Sequence, residues 1–465
     1  MTFATVNPFT NETLKEFEYF SDEQVEHALA LGEATYRTWR TTSFAERAEL
    51  ARSIAEKFKE CSAEFNELLA LEMGKVSGKG AKSLTGFGEA RLCASIFEYY
   101  ADNAERQLAP RQLEDAAGYK AVLTHEPTGI IYAIEPWNYP LYQVVRVLAP
   151  QMMAGNVVVL KHAENVPQIA LALEKLVHDA GAPEGLFQNL FISHDQSKKV
   201  IEDDRVRGVA LTGSERAGRV VAAQAGAALK KVTLELGGSD PFIVLDDANV
   251  DKAARHAVSI RMENSGQMCV ACKRFIVHSS LVDSFLEAYR KHAADYVPGD
   301  PRDPETTFAP LNSQRQADTV KDQVERAVAA GAEFLPMGPE VPSTGAFVGA
   351  GILRNVAPEN PVYYEEIFGP VGMLFSFDSD EEAVRIANDS PYGLGGAVFG
   401  GDLQRAKGVA EQIETGYVHI NRAGSALPQM PFGGVKNSGF GRELSDLGIR
   451  EFVATRWITD VDAKK

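Results

Sequence analysis

Val157-Val158-Val159-Leu160, a helix-spaced run over 166–180 and the strand-like Gln188-Asn189-Leu190-Phe191-Ile192 form the stretch whose reading decides the fold. A short β-branched run is the pattern of a strand buried on both faces, and the longer run with helical spacing is the pattern of a crossover. The alternation extends both ways. Upstream lie strand-like stretches at 119–125 and 129–134, flanking the turn Pro127-Thr128-Gly129, and a helix-like run over 141–154. Downstream come a short helix, a strand at 206–211, a helix at 215–228 and a strand at 231–236. Strands separated by helical crossovers imply a parallel sheet. A second alternating block starts at Pro241-Phe242-Ile243-Val244-Leu245, with a helix at 250–264, a strand at 275–278 and helices at 282–294 and 313–330; it closes near 416–420. The first hundred residues read mostly as helix. Ser43 and Glu46 make a capping box before an apolar-spaced run from 44 to 73, and a second run covers 83–106.

The chain has 465 residues, length enough for several folding units. Hydrophobic residues make up 45% and charged residues 24%, which suits a globular protein and excludes a disordered one. The formal charge of −17 argues against nucleic acid or an anionic membrane as partner, since both select a clustered basic face. Basic residues such as Arg216, Arg219, Lys230 and Lys231 are spread out instead. No apolar run reaches the roughly 18–20 residues of a membrane span. Residues 1–10 lack the basic-then-apolar build of a secretory signal. Cys61, Cys93, Cys269 and Cys272 are too few for a disulfide framework, so a reducing cytoplasm is the expected location. No metal is expected: the His are scattered, and Cys269-x-x-Cys272 has no second pair.

Four segments carry chemistry. Asn264-Ser265-Gly266-Gln267-Met268-Cys269 places a thiol in a small-residue turn beyond a helix. A single cysteine is most simply a packed apolar filler, yet a thiol is also the strongest nucleophile available near neutral pH. Leu234-Glu235-Leu236-Gly237-Gly238 sets a carboxylate in an apolar strand before a glycine pair. Either it is salt-bridged, or desolvation raises its pKa toward that of a useful base. In Pro136-Trp137-Asn138-Tyr139-Pro140 the Asn138 amide is a candidate oxyanion donor or plain turn chemistry. Glu365-Glu366-Ile367-Phe368-Gly369-Pro370, taken alone, is a strand or turn edge. Cys272 is a packed residue or, alternatively, a resolving thiol for Cys269.

In this order, with Leu211-Thr212-Gly213-Ser214, Pro391-Tyr392-Gly393-Leu394 and Pro431-Phe432-Gly433-Gly434-Val435-Lys436, these segments resemble the aldehyde dehydrogenase superfamily from about Asn7 to Trp457. The resemblance implies an α/β fold: a Rossmann-type cofactor domain, an α/β catalytic domain and a small β bridging element for oligomerisation. The expected bounds are 1–111 and 128–235 for the cofactor domain, 236–432 for the catalytic domain, and 112–127 with 444–465 for the bridge. It implies Cys269 as nucleophile, Asn138 with the Cys269 N–H as oxyanion donors, and Glu235 as base for hydrolysis of a thioester. Ile134, Pro136 and Trp137 would line the nicotinamide side, Lys161 and Glu164 the adenosine ribose, Gly213 and Ser214 the pyrophosphate, and Glu366 and Phe368 the nicotinamide ribose and ring. NAD is the expected cofactor and NADP the second choice, because Glu164 would meet the 2′-phosphate. A homodimer or homotetramer is implied. The likeness leans toward short bacterial succinate-semialdehyde dehydrogenases, so succinate semialdehyde is the expected substrate, its carboxylate gripped by Arg146 with Arg261 and Arg422. That family often has Arg where Glu263 stands and Ser where Ala426 stands. Neutral aliphatic or aromatic aldehydes are the alternative. A CoA-acylating relative, which usually lacks the Glu235 counterpart, and a catalytically silent relative are the other readings.

Overall fold

Val157-Val158-Val159-Leu160 becomes the strand Val157–His162, buried along its whole length at the interior of a six-stranded sheet in a computed structural model. The structure describes residues 3–76, 88–116, 119–424 and 427–460. The sheet runs in the order Gly439–Phe440, Lys231–Glu235, Val206–Thr212, Ile130–Glu135, Val157–His162, Phe187–Asn189. All neighbours are parallel except the edge strand Gly439–Phe440. Register aligns Ile134 with Lys161 on one side and with Leu211 on the other. The carboxyl ends of three parallel strands therefore open at one edge, the place where doubly wound sheets bind ligands.

The second block forms a seven-stranded sheet in the order Glu333–Pro336, Gly351–Arg354, Val371–Phe377, Arg274–His278, Pro241–Val244, Ala397–Phe399, His419–Ile420. It is parallel apart from the Glu333–Pro336 edge. A third, antiparallel sheet joins Val453–Asp460, Tyr119–Pro127 and Arg111–Ala116. Each of the two large sheets has its own apolar core, and Tyr139 and Val270 pack against both. The Cys269 loop thus lies at the seam between the two layers.

Four differences from the sequence reading have local causes. The strand expected at 188–192 stops at Asn189, because Ser193 opens a new helix, His194–Glu202, through a capping box with Gln196. Phe191 is buried instead among Phe3, Phe17 and Phe20, so its apolar character reflects packing rather than pairing. The helical run from 44 to 73 divides into Phe44–Glu60 and Ser62–Met73 at Cys61, whose ψ of 7° interrupts the helix. The helix expected to 264 ends at Met262, where a short turn begins. A β-hairpin, Phe3–Val6 with Thr13–Phe17, precedes the helices. The helix expected from 83 is described as Glu89–Gln107, its first residues lying outside the described ones.

Candidate active site

The cysteine loop is built from strained backbone. After Met262, Asn264 and Ser265 take left-handed conformations at φ 51° and 52°, followed by Gly266 at φ 78°. Side-chain residues in that region cost roughly 1–2 kcal/mol each, so the turn persists only because its surroundings hold it. Arg261 donates to the Gly266 carbonyl at 2.6 Å, Ser265 Oγ to Ala309 O at 2.6 Å, and Asn312 N to Gln267 Oε1 at 2.9 Å. Lys273 Nζ donates to the carbonyls of Met268 at 2.7 Å and Cys269 at 2.6 Å. Cys269 itself is partly buried, and desolvation pushes its thiol up to about 12, while Lys273 and Arg146 pull it down.

Asn138 is docked onto this loop. Its Nδ2 donates to Gln267 O at 3.0 Å, the Gln143 amide holds its Oδ1 at 2.9 Å, and Asn264 Nδ2 donates to its carbonyl at 2.9 Å. Glu235 ends its strand 2% exposed, and among the described residues neither carboxylate oxygen has a hydrogen-bond partner. Burial first, then the charge of Glu443, hold it well above the usual carboxylate range, with Arg146 acting in the opposite sense. The glycines after it permit close approach. A Cβ at Gly238 would fall 2.7 Å from the Cys269 carbonyl oxygen, and Gly238 N donates to Glu366 Oε1 at 3.1 Å. The segment carrying Glu235 is therefore pressed against the loop carrying Cys269.

Glu366 also pairs with Lys273 at 2.9 Å, and the Phe368 ring meets Trp137 edge-on at 5.7 Å. Pro136 and Trp137 follow the strand end at Glu135, adjoining Ile134. Lys161 is 6% exposed with its Nζ 5.5 Å from the centre of the Phe3 ring. Burial lowers its pKa and Glu164 opposes that. Glu164 accepts from Tyr19 OH at 3.4 Å. Ser214 caps the helix Glu215–Ala227, and a Cβ at Gly213 would have no neighbour nearer than 4.0 Å. Open backbone at a helix N-terminus, beside the carboxyl ends of parallel strands, suits a dinucleotide pyrophosphate.

The substrate arginines are placed differently from expectation. Arg146 is 2% exposed, paired with Glu443 at 2.6 Å, bonded to Thr212 Oγ1 at 3.3 Å and stacked between Tyr142 and Phe432. Arg261 is fully buried and spends its guanidinium on the Gly266 and Cys272 carbonyls. Both guanidiniums are buried and engaged inside the fold, Arg146 as counter-charge to Glu443 and Arg261 as brace of the cysteine loop. Arg422 is exposed beside His256 and His419, and Ala426 lies outside the described residues. Glu263 accepts from Tyr139 OH at 3.2 Å. Cys272 is buried in the second core, where desolvation raises its thiol pKa.

Sequence reasoning missed Lys273, Gln143, Gln267 and the buried carboxyls Glu135 and Glu443. Glu135 stood directly before Pro136-Trp137-Asn138, and an acid ending an apolar strand was the available signal. Glu443, far along the chain, carried none.

A family model described as the aldehyde dehydrogenase family matches residues 1–458. A succinate-semialdehyde dehydrogenase [NADP(+)] of Deinococcus radiodurans is 45% identical over 463 residues, covering 100% of this chain and 96% of that protein. The solved structure of Gox0499, from work on its cofactor and substrate selection, superposes with a TM-score of 0.95 at 48% identity, covering 98% of this chain and 99% of that one. Succinic semialdehyde dehydrogenase from Streptococcus pyogenes, in complex with NADP+, superposes with a TM-score of 0.94 at 44% identity, again over 98% and 99% of the two chains.

Proposed function

The chain belongs to the aldehyde dehydrogenase family and is an NAD(P)-dependent enzyme of that kind, and from this premise we propose that it oxidises succinate semialdehyde to succinate through a thioester on Cys269. The observation that carries the mechanism is the packing of the Glu235–Gly238 segment against the Cys269 loop, with Asn138 tied to the same loop through Gln267. Cys269 gives up its proton to water and, as the thiolate, adds through Sγ to the aldehyde carbon, and the carbonyl electron pair moves onto oxygen. The second N–H of Asn138 Nδ2 and the Cys269 N–H are the donors for that oxyanion. The nicotinamide, when bound, supplies the hydride acceptor that leaves a thioester behind. Glu235 then takes a proton from water, the resulting hydroxide attacks the acyl carbon, and the acid departs as Cys269 regains its thiolate. Ile134, Pro136, Trp137, Glu366 and Phe368 would hold the nicotinamide end, Lys161 and Glu164 the adenosine ribose, and Gly213 and Ser214 the pyrophosphate.

The substrate proposal rests on the relatives named above, since Arg146 and Arg261 are buried and engaged within the fold; Arg422 is the exposed candidate among those expected. For the cofactor, the Deinococcus radiodurans and Streptococcus pyogenes relatives carry NADP in their descriptions, whereas Glu164 favours NAD here. A carboxylate accepts from both ribose hydroxyls and repels a 2′-phosphate, by about 1–2 kcal/mol once screened. The domain division proposed is 1–111 with 128–235 for cofactor, 236–432 for catalysis, and 112–127 with 444–465 as the bridge. A panel of succinate semialdehyde, butanal and benzaldehyde, each with NAD and NADP and with and without CoA, tests these points by absorbance of the reduced cofactor. The expected outcome is the highest kcat/KM for succinate semialdehyde with NAD, unchanged by CoA, and a shift toward NADP in Glu164→Ser. Equal kcat/KM for butanal removes the substrate proposal, and a wild-type preference for NADP removes the role given to Glu164.

A further inference from the structure

Lys273 has no part in the mechanism above, yet its surroundings are singular. It is completely buried, with Nζ 2.7 Å from Met268 O, 2.6 Å from Cys269 O and 2.9 Å from Glu366 Oε1. A buried ammonium persists where its three protons all find acceptors, and these three acceptors account for them. The same Glu366 oxygen accepts from Gly238 N at 3.1 Å. One cation and one carboxylate thereby fasten three segments together: the nucleophile loop, the glycine pair after Glu235, and the stretch that carries Glu366 and Phe368. The Phe368 ring centre lies 5.8 Å from Nζ.

The geometry points to Lys273 as a positioning residue that ties the Cys269 backbone to Glu366, so that engagement of Glu366 by the cofactor ribose is transmitted to the nucleophile. This rests on the roles proposed for Cys269 and Glu366. The tie has two consequences. It fixes where Sγ points, because the carbonyl of the nucleophile itself is held. It also places a positive charge beside the thiol, balanced from the other side by Glu366 and Asp240, with Arg146 as the second cation nearby. Removing the cation and removing the anion therefore move thiol reactivity in opposite directions, which no loss of packing alone would do.

The test is the pH profile of Cys269 alkylation by iodoacetamide, followed by mass spectrometry in wild type, Lys273→Gln, Lys273→Met and Glu366→Gln. In the folded Lys273 variants alkylation at pH 8 is expected to be about ten-fold slower, as a one-unit rise in thiol pKa gives. In Glu366→Gln the profile is expected to move to lower pH. Cofactor KM should rise several-fold in Lys273→Gln while aldehyde KM stays within two-fold. Circular dichroism and melting curves identify any variant that fails to fold, and Glu366→Gln still reads the tie if both Lys273 variants fail. Profiles unmoved in folded Lys273→Gln and in Glu366→Gln overturn the inference, as does an equal rise in both KM values. Turnover retained in Cys269→Ala would instead overturn the catalytic reading, leaving the alkylation shift as a separate result.

Discussion

At the residue scale, the site is dominated by carboxyls that the fold has taken out of water. Glu135, Glu235 and Glu443 are all buried and all held above the usual range by desolvation, with Arg146 as the cation they share. Glu235 is therefore protonated where an ordinary carboxylate is not, and it becomes a base only as pH rises. Hydrolysis of the thioester should accordingly speed up with pH above the usual carboxylate range. In Glu235→Gln that rising limb should vanish. A burst of one reduced cofactor per site should precede turnover slower by about 10²–10⁴-fold, whereas Cys269→Ala should show no burst. Stopped-flow absorbance distinguishes the two; a burst in Cys269→Ala would unseat it as nucleophile. Arg146→Ala leaves Glu443 buried without its partner, a loss of about 3–5 kcal/mol. Its melting temperature should fall, and kcat/KM should drop by the same factor for succinate semialdehyde and butanal. A loss confined to the semialdehyde would return Arg146 to the role of carboxylate reader.

At the element scale, the decisive piece is the turn that ends the helix Val250–Met262. Gly266 has φ 78°, and a Cβ there would lie 2.2 Å from the Gly369 carbonyl oxygen. Gly266→Ala meets both backbone strain and a backbone clash, so the loop carrying Cys269 has to shift. A fall in kcat of ten-fold or more with a lower melting temperature is expected. Gly226 is the matched control. It lies in the helix Glu215–Ala227 with nothing within 4 Å of its would-be Cβ, so Gly226→Ala should leave kcat unchanged and add about 0.5–1 kcal/mol. Side-by-side kinetics and melting curves check the pair, and wild-type kcat in Gly266→Ala would show that the loop tolerates the shift.

At the scale of the whole molecule, Val453–Asp460 runs antiparallel to Tyr119–Pro127, leaving Trp457 65% and Ile458 52% exposed. Consecutive strand residues point to opposite faces, so this strand carries a large exposed apolar side chain on each face, and a subunit contact that covers either one supports the expected dimer or tetramer. Sedimentation velocity should show a smaller species for Trp457→Glu than for wild type; an unchanged coefficient would place the contact elsewhere. Across this whole, what the sequence determined is what local pattern encodes. Periodicity placed the five parallel strands of the six-stranded sheet and, in the seven-stranded one, Pro241–Val244 and Arg274–His278, since burial on two faces demands unbroken apolar runs such as 157–160; the strands Glu333–Pro336, Gly351–Arg354, Val371–Phe377 and Ala397–Phe399 were not read. Short motifs singled out Cys269, Glu235 and Asn138 as candidates, and the family resemblance of the ordered set gave them their expected roles. Tertiary structure alone decided which charges meet. Arg146, expected to grip a substrate carboxylate, is paired with Glu443, while Lys273, which no motif singled out, is sealed beneath the nucleophile. A charge's role depends on the partner that desolvation forces on it, and that partner comes from a distant segment that no local pattern specifies.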